Sequence, residues 1–186
     1  MLSLPFRKYP IGLQDFSGLR RDGYIYIDKT SYIFLLAHTG KQYFLSRPRR
    51  FGKSLFLSTL RAYWEGKKDL FEGLSVERLE NSNPEAWEAY PVFYIDFNRD
   101  DFEKRRDLSL KYSSKNEKTA GQGSSISQGT VSCSLEGILE AHLEEWEEEY
   151  GCRKKEASLA VRFQNLLKTA AETQGKRCVV LVDEYD

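Results

Sequence analysis

The residues with the most chemistry in them fall in two short stretches far apart in the chain. The first is "SRPRRFGKSL", Ser46 to Leu55. Its Gly52-Lys53-Ser54 ends as a phosphate-binding P-loop, G-x-x-x-x-G-K-[ST], ends. Arg47 stands where the first glycine of that motif belongs, and Pro48 constrains the turn in its place. The second stretch is "VVLVDE", Val179 to Glu184. Four apolar residues followed by two acids make a Walker B pattern, with the acids at the C-terminal end of a strand.

Together the two stretches suit phosphoryl chemistry, which needs positioned charge more than covalent catalysis. The Lys53 ammonium would reach the β- and γ-phosphates of ATP. Backbone N–H groups from Arg50 to Ser54 would face the phosphates at a helix N-terminus. Gly52 lets the backbone approach closely. Ser54 and Asp183 are the expected Mg²⁺ ligands, and Glu184 is the group to orient or deprotonate an attacking water. The expected nucleotide contacts are Arg49, Arg50, Phe51, Gly52, Lys53, Ser54 and Leu55, with Lys53 and Glu184 catalytic. Each stretch alone has a plainer reading, a basic helix start or a solvated strand end. Their order and their places on predicted elements favour the site.

Those elements follow from patterning. Residues 1 to 30 are turn-rich and end in a predicted short strand, Tyr24 to Ile27. A helix follows, capped by Thr30 or Ser31, carrying Ile33, Leu35 and Leu36, and stopped at Gly40. Gln42 to Ser46 reads as a strand. After the loop, Leu55, Leu57, Leu60 and Trp64 recur at helical spacing. Residues 65 to 90 are mixed. Val92 to Phe97 reads as a buried strand. Residues 103 to 132 are rich in Ser, Gly and Lys and read as a flexible insertion. Leu135, Ile138, Leu139, His142, Leu143 and Trp146 form one face of a helix capped by Ser134 and ended by Gly151. A second helix runs from about Glu156 to Thr173, with Leu159, Phe163, Leu166, Leu167 and Ala170 inward. Cys178 to Val182 are continuously apolar, as in a strand covered on both faces. Strands separated by helices imply a mostly parallel α/β sheet.

Composition narrows the class. With 186 residues the chain has room for one domain with a real core, or for part of a larger one. Lys plus Arg and Asp plus Glu each number 28, so net charge argues for neither nucleic acid nor membrane. Cys133, Cys152 and Cys178 are odd in number and scattered, which points to a reducing, cytoplasmic compartment. No stretch is apolar enough to span a bilayer. Lys104, Arg105, Arg106, Lys111, Lys115 and Lys118 lack the interleaved aromatics of a single-strand binder and read as a solvated loop. The acids from Glu144 to Glu149 read as one solvated helix face.

Four segments, "YIYIDKTSYI", "YFLSRPRRFGKSLFLSTLRAYWEGKKDLFEGL", "YPVFYIDF" and "CVVLVDEYD", closely resemble the AAA-ATPase-like family of uncharacterised bacterial and archaeal proteins. The resemblance covers nearly the whole chain outside 103 to 132, and the arginine-rich loop is the family's own form. It implies an α/β P-loop NTPase domain of the ASCE, AAA-like type, a parallel sheet flanked by helices, with Lys53 and Ser54 in Walker A and Asp183 and Glu184 in Walker B. ATP and Mg²⁺ are the implied cofactors. Longer members carry a C-terminal nuclease-like domain, an implied partner along with a second copy of the chain.

Such a sheet places a further strand between the Walker B strand and the P-loop strand. Residues 1 to 186 therefore read as the N-terminal part of the domain, ending just after Walker B. Nucleotide binding is expected of it, and efficient hydrolysis of the longer protein. The rival reading is a non-hydrolysing nucleotide-sensing or interaction module. Asp28 and Lys29 read equally as the base-side wall of the site or as a plain helix cap. Asp96 reads as a strand-end acid near the crevice.

Overall fold

The computed structural model describes residues 8–48, 50–97, 135–152 and 158–184. The expected insertion at 103–132, the cap at Ser134, the expected helix start at Glu156, and Arg49 lie outside these residues.

Local signals set the helices. Helix α1 (Phe16–Arg21) starts where the Asp15 carboxylate accepts from the Gly18 N–H at 2.7 Å. Helix α2 (Ser31–Thr39) ends at Gly40, which is extended there and not left-handed. Helix α3 (Lys53–Trp64) starts at Gly52, whose φ of 76° lies in the left-handed region that favours glycine. A 3₁₀ turn (Lys68–Phe71) and α4 (Ser75–Leu79) organise the stretch that looks mixed in the sequence. Helix α5 (Leu135–Tyr150) and α6 (Leu159–Gln174) follow strand β1 (Val92–Asp96), and strand β2 (Val179–Asp183) comes last. The Ser158 hydroxyl caps α6 by accepting from the Val161 N–H.

The two strands pair in parallel, from Val92 opposite Val179 to Asp96 opposite Asp183. Period-two alternation sends their side chains to opposite faces. On one face Val92, Tyr94, Val179 and Leu181 join a core built around Phe16, Ile33, Leu60, Tyr63 and Phe71. On the other, Phe93 packs with Leu143, Leu166 and Ala170 of α5 and α6. Its ring meets that of Trp146 edge-on at 5.1 Å. The architecture is mixed α/β with a small parallel sheet between helices.

Three expectations need correction. Neither Tyr24–Ile27 nor Gln42–Ser46 forms a strand. A strand exists only through its ladder, and among the described residues no strand other than β1 and β2 is assigned. Residues 42–46 instead turn back on α2, where the Tyr43 hydroxyl donates to the Leu36 carbonyl at 2.9 Å. Second, β2 is not covered throughout: Val180 is 41% exposed. Third, the acidic face of α5 is broken. Glu144, Glu145, Glu148 and Glu149 are exposed, but Glu147 is buried. Its carboxylate accepts two 2.8 Å bonds from Arg162 of α6, Nε to one oxygen and Nη2 to the other. A bidentate guanidinium supplies what water no longer can.

Removing one partner of a buried ion pair strands the other. Arg162→Ala should therefore lower unfolding free energy by about 3 kcal/mol or more, read as a drop in the denaturant midpoint. An Arg162→Leu, Glu147→Leu double variant should recover most of that loss.

Candidate functional site

The loop before α3 turns on two left-handed residues, Arg50 at φ 66° and Gly52 at φ 76°. The amide of Phe51 donates back to the Pro48 carbonyl at 3.4 Å, closing the turn. No side chain caps α3. An uncapped helix start presents N–H groups and the positive end of the helix dipole. Lys53 and Ser54 are the first two residues of that helix and are half-buried.

The loop opens on a cleft of about 890 Å³. Of the residues singled out in the sequence, Arg50, Gly52, Lys53, Ser54, Leu55 and Glu184 line it. The loop and the end of β2, 130 residues apart in the chain (184 − 54), thus meet in one cavity. Phe51 is 65% exposed and does not line the cleft.

Asp183 is not in the lining either. It is 2% exposed at the end of β2, beside Glu184, which does line the cleft. Its Oδ2 accepts from the Tyr94 hydroxyl at 2.9 Å and its Oδ1 from the Glu184 N–H at 3.0 Å. Burial, and then the Asp183 charge, push the Tyr94 phenol well above its ordinary range, so it stays a proton donor to Asp183. The Arg61 guanidinium lies over the Tyr94 ring at 5.6 Å. Glu184 holds φ 52°, a conformation that costs a non-glycine residue energy and is concentrated at functional positions. Among the described residues no group of three or more His, Cys, Asp or Glu side chains could hold a metal. Ser54 and Asp183 offer oxygens only, the donor type that Mg²⁺ takes when water and phosphate complete its shell.

Four lining residues escaped the sequence reading: Gly12, Leu13, Gln14 and Phe97. Phe97 is held at the strand ends by its N–H, which donates to the Asp183 carbonyl at 3.3 Å. The segment around Gln14 is tied to α3 by Ser58. The Ser58 hydroxyl accepts from the Phe16 N–H at 3.0 Å, and its proton is shared between the Gln14 carbonyl and the Leu55 carbonyl of its own helix, both at 2.9 Å. The one trace of this in the sequence is that Ser58 stands four residues after Ser54, on the same helical face.

Asp28 takes the plainer of its two readings. Its Oδ1 accepts from the N–H and hydroxyl of Thr30, at 2.8 and 2.7 Å. Its Oδ2 accepts from the N–H and hydroxyl of Ser75, also at 2.8 and 2.7 Å. It pins the start of α2 to the start of α4, and neither it nor Lys29 lines the cleft. Asp96 ends β1 and does not line it either.

The profile of a family described as "Predicted AAA-ATPase" matches residues 10–132 and 123–186. The chain belongs to the AAA-ATPase-like family. The match spans the loop before α3, Asp183 and Glu184 alike. An uncharacterized protein encoded in the vnfD 5′ region of Azotobacter chroococcum mcd 1 is 35% identical over 184 residues. That alignment covers 97% of this chain and 29% of the relative, so the chain spans under a third of that protein's length. No solved structure matches. Among the described residues no helix is long and apolar enough to cross a membrane.

The Asp28 bridge has a pH signature. Burial raises its carboxyl, but the bonds from Ser75 and Thr30 outweigh it and leave the folded-state pKa lowered. The stability it brings is present above the unfolded carboxylate value, about 3.9, and is lost as pH falls through the lower folded value. Asp28→Ala should lower the melting temperature by a few degrees at pH 7. The gap from the unsubstituted protein should narrow as pH falls below the unfolded carboxylate value.

Proposed function

We propose that the chain is the nucleotide-binding portion of a Mg²⁺-dependent ATPase with a P-loop fold. The observation that carries this reading is the meeting of Lys53 and Ser54 with Glu184 in one cleft, at an uncapped helix N-terminus. The α3 N–H groups and the Lys53 ammonium bind the β- and γ-phosphates. Arg50 adds positive charge at the mouth. Ser54 and Asp183 are the residues that would hold Mg²⁺, with Tyr94 fixing the carboxylate of Asp183. When bound, the ion offsets charge on the phosphate oxygens. Glu184, displaced from the strand by its left-handed backbone, faces the same cleft and orients the attacking water.

Turnover we assign to the longer protein, in keeping with a relative of which this chain covers 29%. Partner domains and oligomerisation belong to that longer form. A non-hydrolysing sensor would use the same contacts without the work of Glu184.

Lys53→Ala should weaken MgATP binding at least about tenfold, the loss of one charge-assisted phosphate contact, as measured by equilibrium titration. Glu184→Gln should keep the affinity and abolish phosphate release by the longer protein. Unchanged binding by Lys53→Ala would overturn the assignment. Phosphate release that survives Glu184→Gln would remove Glu184 from catalysis.

A further inference from the structure

The cleft has a wall that a triphosphate does not need. Phosphate calls for N–H groups and cations, and Arg50, Gly52, Lys53 and Ser54 supply those. Leu13, Leu55 and Phe97 bring apolar side chains to the lining. A volume of about 890 Å³ is near the upper end for small-molecule sites and exceeds what the phosphates would fill.

This wall is built. Gly12 lines the cleft and turns the chain with φ 73°, in the left-handed region that favours glycine. Leu13 follows, 40% exposed. Gln14 and Phe16 are then tied to α3 by the Ser58 hydroxyl, which accepts from the Phe16 N–H and lies 2.9 Å from the Gln14 carbonyl. Ser58 lies one helical turn beyond Ser54, on the same face. The segment is therefore held alongside the helix that carries the phosphate-binding residues. The Asp15 cap on α1 locks it from the other end.

We propose that residues Gly12 to Gln14 form the wall that takes the base and ribose of the bound nucleoside triphosphate. This rests on the nucleotide reading above. Leu13 packs against one face of the base, Phe97 and Leu55 supply further apolar contact, and the Gln14 side chain is the polar group within the wall. The role that the sequence offered to Asp28 and Lys29 passes to this segment, since Asp28 spends both carboxylate oxygens on Thr30 and Ser75.

Two probes separate the wall from the phosphate site: ATP, and inorganic tripolyphosphate, which has no base or ribose. Each is titrated calorimetrically with Mg²⁺ into the chain and its variants, with melting curves to verify folding. Leu13→Asp should weaken ATP about tenfold or more, the order expected for losing an apolar contact and gaining a charge. It should leave tripolyphosphate affinity unchanged within about twofold. Ser58→Ala, which releases the segment without touching its side chains, should show the same selectivity more weakly. Lys53→Ala should weaken both probes. If Leu13→Asp leaves ATP unchanged, or weakens both probes equally in a folded protein, the wall assignment is overturned while the nucleotide reading stands. If the unsubstituted chain binds neither probe, both fall.

Discussion

Two parallel strands cannot be joined by a short turn, because the chain must travel back the length of the sheet before it can pair again. The pairing of β1 with β2 therefore commits the 82 residues between them (97 to 178) to a crossover, and α5 and α6 are its described body. The crossover also covers the Phe93 face of the sheet. The residues before β1 cover the other face through Tyr94 and Leu181. The register then sets Asp183 opposite Asp96 at one end of the sheet, next to Phe97 and Glu184 of the cleft lining.

Buried polar pairs fix how the layers meet. Arg162 and Glu147 lock α6 to α5, with Glu140 a further ion-pair partner of Arg162 at 3.7 Å. Glu80 does similar work on the opposite side, accepting from Tyr63 at 2.6 Å and from Asn83 at 2.8 Å. Asp28 joins α2 to α4, and Ser58 joins the N-terminal segment to α3. Each lets a polar atom leave water by giving it a partner of fixed geometry. The result is a cleft whose three sides come from segments around residues 13, 53 and 184.

Much of the site was legible because it is local. Gly52-Lys53-Ser54 before an apolar helix, and Asp183-Glu184 after an apolar strand, are patterns of adjacent residues, and the fold brings them together. Helix α3, strand β1 and the inward face of α6 followed from periodicity for the same reason. What could not be read depends on partners distant in sequence. Gln42–Ser46 has the composition of a strand, but composition does not supply a ladder. Glu147 looks like its exposed neighbours, and only Arg162, one helix later, explains its burial. Gly12 to Gln14 carry no motif, and Ser58, more than forty residues on, gives them their place.

One bound nucleotide should contact both the loop before α3 and the N-terminal segment. Hydrogen exchange read by mass spectrometry, with and without saturating MgATP, tests it most directly. Slowed exchange is expected in peptides covering residues 50–57 and 10–16, with little change in α5 and α6. Nucleotide binding that protects other segments and leaves both of these unchanged would contradict it.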